Sequence, residues 1–116
     1  MNVVITGANR GIGLALVKQY LAGGHSVYAL CRNSSDALNA AGAKVISGVD
    51  VGVPDSLPQA LAPLDDVDID VLINNAGVLA NEAITDWQPN TIDYQFRVNA
   101  MGPLLVTQCL LKQLSS

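Results

Sequence analysis

The chain has 116 residues, half of them apolar, with 14% charged, 4% aromatic and a formal net charge of −4. That is enough for one domain spanning residues 1–116, and the apolar fraction excludes intrinsic disorder. Asp50, Asp55, Asp65, Asp66, Asp68 and Asp70 share a stretch without a single basic residue, which argues against binding a nucleic-acid backbone or an anionic membrane surface. No uncharged run reaches the roughly 20 residues of a membrane span. Met1 leads straight into Val3-Val4-Ile5 without a basic start or a cleavage site, so a cytoplasmic protein is expected.

Along the chain, short apolar runs alternate with helical segments. Val3-Val4-Ile5 reads as a buried strand ended by Thr6-Gly7. Apolar residues then recur at helical spacing from Ile12 to Leu21, and Gly23-Gly24 stops the helix. Val27 to Cys31 is a second strand, followed by a short helix from Ser34 to Ala41 with Ser34 or Ser35 as its cap. Lys44 to Val49 is a third strand. Pro54 to Leu61 predicts a weak helix that Pro58 and Pro63 keep short. Val67 to Asn74 is a fourth strand, and a final helix runs from Asn90 to Leu114, with Asn90 as its cap and Asp93 in its first turn. Continuous rather than alternating apolar strands, separated by helices, indicate a parallel sheet covered on both faces. Cys31 and Cys109 are too few for a disulfide framework or a zinc site, and in their apolar runs both read as small core residues.

The first strand is followed by Thr6-Gly7-Ala8-Asn9-Arg10-Gly11-Ile12-Gly13 and then a helix. Glycines at such a turn remove the Cβ atoms that block close approach of backbone to an anion, and the first N–H groups of the helix point at it. The spacing, G-x3-G-x-G, differs from the commoner G-x-G-x-x-G. On its own the loop is either a phosphate cradle or a tight connection.

Two further motifs stand at the expected distances: Asn74-Asn75-Ala76-Gly77 after the fourth strand, and Val98-Asn99-Ala100-Met101-Gly102-Pro103 in the last helix. With the glycine loop they resemble the short-chain dehydrogenase/reductase family over the whole chain. TGANRGIG, Cys31-Arg32-Asn33 and VNAMGPLLVTQ are most similar to its C-factor and carbonyl-reductase-like members. The resemblance implies a doubly wound, Rossmann-type α/β fold, truncated to about four parallel strands in the order 3-2-1-4, with two helices on each face. The cofactor is then expected at the switch point between strands one and four, above Gly7 and Asn75.

In this family the end of the second strand selects the nicotinamide dinucleotide. Arg32 stands there, no acid follows until Asp36, and Arg10 offers a second cation. Two guanidinium groups favour a 2′-phosphate, hence NADP(H) over NAD(H), unless Arg32 is simply a solvated strand end. The resemblance assigns the cofactor to Gly7, Asn9, Arg10, Gly11, Ile12, Gly13, Arg32, Asp50, Val51, Asn75, Ala76 and Gly77. Asp50 would accept from the adenine amino group, while Asn75, Ala76 and Gly77 line the adenosine ribose. Asn74 is expected to tie neighbouring strands together.

The family's proton relay needs a tyrosine with a lysine four residues on, and a serine. Tyr20, Tyr28 and Tyr94 are followed at that distance by Gly24, Arg32 and Val98, and arginine cannot titrate in such a relay. His25, in a turn, reads as a surface residue. Asn99 matches the one retained member of the catalytic set, whose backbone carbonyl holds a water in the family. Pro103, four residues later, lacks the N–H that normally occupies that carbonyl, so Asn99 is either this member or a helix-kink residue.

The expectation is an NADP(H)-binding N-terminal half that binds weakly and does not turn over alone. The alternatives are an oxidoreductase completed by a second chain or a longer parent, and a non-enzymatic structural or regulatory module. A homo-oligomer is expected, most simply a dimer through Val71-Leu72-Ile73 and the helix Leu104 to Leu114. That helix carries apolar residues around almost its whole circumference, and the strand is an edge.

Overall fold

The computed structural model of the chain describes residues 1–76 and 96–114. Among them, β1 (Asn2–Thr6), β2 (Ser26–Leu30), β3 (Lys44–Ile46) and β4 (Val71–Ile73) form one parallel sheet in the order β3-β2-β1-β4. Strand β1 is central because neither of its faces is polar. Val4 packs into one core, Val3 and Ile5 into the other, and all three are fully buried. Val4 lies beside Tyr28 of β2 and Leu72 of β4.

Helices α1 (Gly11–Ala22) and α2 (Asp36–Ala41) cover the face of Val3 and Ile5, where Val17 and Leu38 complete the core. Ser35 caps α2, its Oγ accepting from the Leu38 N–H at 3.2 Å. The other face is covered by α3 (Leu57–Ala60), α4 (Gly102–Cys109) and α5 (Leu111–Leu114). Leu57, Leu61, Leu64, Val106 and Leu110 pack there against Val4 and Leu30. The crossovers of the first three strands thus share one face, as right-handed connections require, and the chain reverses to place β4 on the other side of β1.

Several boundaries differ from the sequence expectation. The weak helix expected over Pro54 to Leu61 is a 3₁₀ turn (Pro54–Ser56), α3, and a second 3₁₀ turn (Ala62–Leu64). Each proline enters at the start of a new turn, where its missing N–H has no intrahelical partner to lose. Strand β3 ends at Ile46 rather than Val49, because Gly48 turns to φ +77°. The chain still bonds to the end of β2, through Gly48 N–H to the Arg32 carbonyl and Val49 N–H to the Cys31 carbonyl, both 3.0 Å. Strand β4 starts at Val71 rather than Val67, since the Ile69 N–H is taken by the Gln113 carbonyl at 3.1 Å.

The last helix is not one regular run. Residues Arg97–Met101 form a π-helical turn, in which the Gly102 N–H reaches back to the Arg97 carbonyl, and a break at Leu110 separates α4 from α5. The widened turn lies directly before Pro103, whose ring and missing N–H disturb the ladder toward Asn99. Asn90 and Asp93 lie outside the described residues. The expectation that both cysteines are core residues holds for Cys31 and fails for Cys109, which is exposed. The sheet covers the side of this helix that carries Val106 and Leu110, and Cys109 falls outside it.

Candidate functional site: a cleft at the strand ends

A cleft of about 490 Å³ opens over the C-terminal ends of the strands. Its walls bring together Gly7, Asn9, Arg10, Gly11, Ile12, Arg32, Asp50, Val51, Asn75 and Ala76 from the expected set. Thr6, Leu30, Cys31, Asn33, Val49 and Val98 line it as well. Of the remaining expected residues, Gly13 lies beneath the loop, Asn99 is exposed beyond the wall that Val98 forms, and Gly77 lies outside the described residues.

The glycines are there for space. A Cβ on Gly7, at φ +62°, would stand 2.7 Å from the Ala76 Cα, and one on Gly13 would run into the Gly7 carbonyl and sit 2.6 Å from Asn75 Nδ2. The loop is therefore pressed against the end of β4, and no side chain at 7 or 13 could fit between them. Gly11, at φ +57°, faces open space instead. Arg10 leads into α1 in extended conformation and supplies no side-chain cap. The first turn of a 12-residue helix thus begins at the cleft wall, and its leading N–H groups suit an anionic acceptor.

On the β4 side, the buried Thr6 Oγ1 accepts from the N–H groups of both Asn75 and Ala76 at 3.0 Å. Asn75 Nδ2 donates to the Gly7 carbonyl at 3.2 Å. Asn74 departs from expectation. Its Nδ2 donates to Thr107 Oγ1 at 3.2 Å, so it ties β4 to the last helix rather than strand to strand. The tie between strand ends is made by its neighbour, Asn75. Side chains alternate across a strand, and the register with β1 turns Asn75, not Asn74, toward the glycine loop.

On the far side of the cleft, Arg10 and Arg32 are both exposed and both line it. Asp50 Oδ1 accepts from the Gly52 N–H at 2.9 Å, closing a small turn that presents the carboxylate and Val51 to the cleft. Gly102 packs directly on this turn, since a Cβ there would meet the Val51 carbonyl at 2.9 Å. Burial pushes the Cys31 thiol above its ordinary value, so it is a poor nucleophile.

His25 belongs to neither wall. It lies at the opposite end of the sheet, its Nδ1 3.2 Å from the Met1 amine and its ring edge-on to Tyr20 at 5.7 Å. Tyr28 is engaged with Lys44, whose Nζ lies 4.9 Å from the ring centre and 3.3 Å from the hydroxyl. Among the described residues no three His, Cys, Asp or Glu side chains gather as a metal site, and no helix is long and apolar enough to cross a membrane.

The family model for short chain dehydrogenases matches residues 1–116. The chain is 32% identical to a 1-hydroxy-2-glutathionyl-2-methyl-3-butene dehydrogenase of Rhodococcus sp. (strain AD45), over 88% of this chain and 46% of that protein. In structure it is similar to an NADPH-bound carbonyl reductase from chicken fatty liver, with a TM-score of 0.83 and 28% identity over 97% of this chain and 50% of that one. It is also similar to the L-sorbose reductase of Gluconobacter frateurii, solved with NADPH and L-sorbose, with a TM-score of 0.78 and 26% identity over 97% and 46% of the two chains. The chain spans about half the length of the curated relatives it matches.

Proposed function

The chain belongs to the short-chain dehydrogenase family, and from that premise we propose that these residues are the NADP(H)-binding half of an oxidoreductase acting on carbonyl and alcohol groups. The observation that carries the choice of cofactor is the pair Arg10 and Arg32 on the walls of one cleft. Two guanidinium groups attract a 2′-phosphate through charge-assisted bonds, whereas a ribose hydroxyl is better served by a carboxylate at the end of β2. The relatives solved with NADPH support the same reading.

The remaining residues fit the rest of such a molecule. The uncapped start of α1 and the glycines at 11 and 13 suit a diphosphate. Asp50 can accept from an adenine amino group, and the exposed Ile12 offers an apolar edge at the cleft mouth. When bound, the dinucleotide supplies the two electrons that reduce a carbonyl. None of the three tyrosines in these residues has a lysine four positions on, so this stretch binds without completing the family's proton relay. Asn99, in the widened turn before Pro103, is the one member of that relay it contributes.

The outward face of the last helix bears Met101, Leu104 and Leu111, which are 37%, 68% and 59% exposed. Covering such side chains is worth roughly 1.5–3 kcal/mol each before association costs. A second copy of this chain, packed helix to helix around a two-fold axis, satisfies all three at once.

Calorimetric titration with NADPH and NADH tests the central reading. NADPH is expected to bind more tightly, and Arg32→Ala should weaken it by roughly 10- to 100-fold while leaving NADH nearly unchanged. Equal affinities that the substitution does not alter would overturn the assignment of the 2′-phosphate.

A further inference from the structure

Two hydrogen bonds join the loop after β1 to the loop after β2. Ser35 Oγ donates to the Asn9 carbonyl at 2.7 Å, and Asn9 Nδ2 donates to the Asn33 carbonyl at 2.9 Å. A third bond, from the Ala8 N–H to the Leu30 carbonyl at 3.2 Å, anchors the base of the junction. The Ser35 hydroxyl also accepts from the Leu38 N–H, so its single proton serves one loop and a lone pair serves the helix cap.

The placement of the two cations gives this clasp its meaning. Arg10 directly follows Asn9, and Arg32 directly precedes Asn33. Each guanidinium therefore hangs from backbone next to a clasped residue, and the Arg32 backbone is held from its other side by Gly48. Surface loops move independently unless something joins them. A phosphate recognised by two arginines on two loops is bound more tightly when those loops are already fixed at the right separation.

We propose that Ser35 is a positioning residue for 2′-phosphate recognition, holding the segments of Arg10 and Arg32 at one spacing through its bond to Asn9. This rests on the NADP(H) reading above. The diphosphate cradle does not depend on the clasp, because Gly7 and Gly13 are fixed from the β4 side by Thr6 and Asn75. The clasp therefore governs selectivity for the phosphorylated ribose rather than binding in general. A serine that only capped α2 would affect all ligands alike.

The test is titration of the chain and its Ser35→Ala, Ser35→Thr and Arg32→Ala variants with 2′,5′-ADP and with 5′-AMP. Ser35→Ala is expected to lower the preference for 2′,5′-ADP roughly two- to tenfold with 5′-AMP affinity unchanged. Ser35→Thr, which keeps the hydroxyl, should restore the preference, and Arg32→Ala should remove it. An equal loss for both ligands in Ser35→Ala, or no loss at all, would overturn the role of Ser35 while the Arg32 result stands. If Arg32→Ala leaves the preference intact, or the unaltered chain has none, it is the NADP(H) reading that falls.

Discussion

Helix α1 and the last helix cover opposite faces of the same sheet and finish their outward sides differently. Both bury a narrow stripe, Gly13 and Val17 in one and Gly102, Val106 and Leu110 in the other. Beyond Ile12 at the cleft mouth, α1 presents Ala15, Lys18, Gln19 and Ala22 outward, whereas the last helix presents Met101, Leu104, Gln108, Cys109, Leu111 and Lys112. The second surface carries three large apolar side chains, Met101, Leu104 and Leu111, against one on the first. The two helices also differ at their N-termini. The first starts without a side-chain cap at the cleft wall, while α4 starts from a π-helical turn that packs on the Asp50–Val51 wall of the cleft through Gly102 and Val51. On the proposed reading, one helix meets a ligand at its end and the other meets protein on both sides.

The sharpest way to break this contrast is within the last helix. Leu110→Ala empties a fully buried site and should cost about 2–5 kcal/mol in a denaturant melt, while Leu104→Ala, on the outward face, should stay within about 0.5 kcal/mol for a single copy. Equal costs would mean that the two faces are not distinct. Within α1, Gly13→Ala must force the Gly7 carbonyl aside and should cost on the order of 1–3 kcal/mol, the upper end being expected for a backbone clash. Gly11→Ala has open space and should cost only the roughly 1–2 kcal/mol of a left-handed alanine. Leu104→Glu together with Leu111→Glu should reduce the mass seen by light scattering to 12.1 kDa without loss of helical signal. An unaltered chain that is already a monomer would remove the argument for a second copy.

The cysteines give the smallest and simplest contrast. Cys109 is exposed on the last helix, while burial holds the Cys31 thiol protonated, so a thiol reagent at pH 8 should label Cys109 first. The raised value of Cys31 implies that its contribution to stability is intact below the ordinary thiol range. That contribution is lost as pH rises through the elevated value. Cys31→Ala should flatten the alkaline limb of the melting profile.

The parallel sheet was legible because Val3-Val4-Ile5 has no polar face and right-handed crossovers leave few topologies, while the strand order came with the family resemblance. The cleft was legible because the glycines and arginines follow strand ends directly. What sequence could not supply depends on details that periodicity does not carry. A 3.6-residue pattern does not register the five-residue backbone bond from Gly102 to Arg97, although Pro103 marked where the helix would be disturbed. Which of Asn74 and Asn75 turns toward Gly7 follows from register with β1. The bond between Ser35 and Asn9 spans 26 residues and joins a hydroxyl to a backbone carbonyl. No spacing rule announces it, and Ser35 could be read only as a cap.

On the proposed reading, the cleft recognises a 2′-phosphate through the joined loops of Arg10 and Arg32. Amide shift mapping by ¹H–¹⁵N NMR tests it directly in one experiment with NADPH and NADH. Both dinucleotides should move the amides of Gly7, Gly11, Gly13 and Asn75, and NADPH alone should move those from Arg32 to Ser35. Identical maps for the two, or shifts centred on Tyr20 and His25 at the other end of the sheet, would contradict the account.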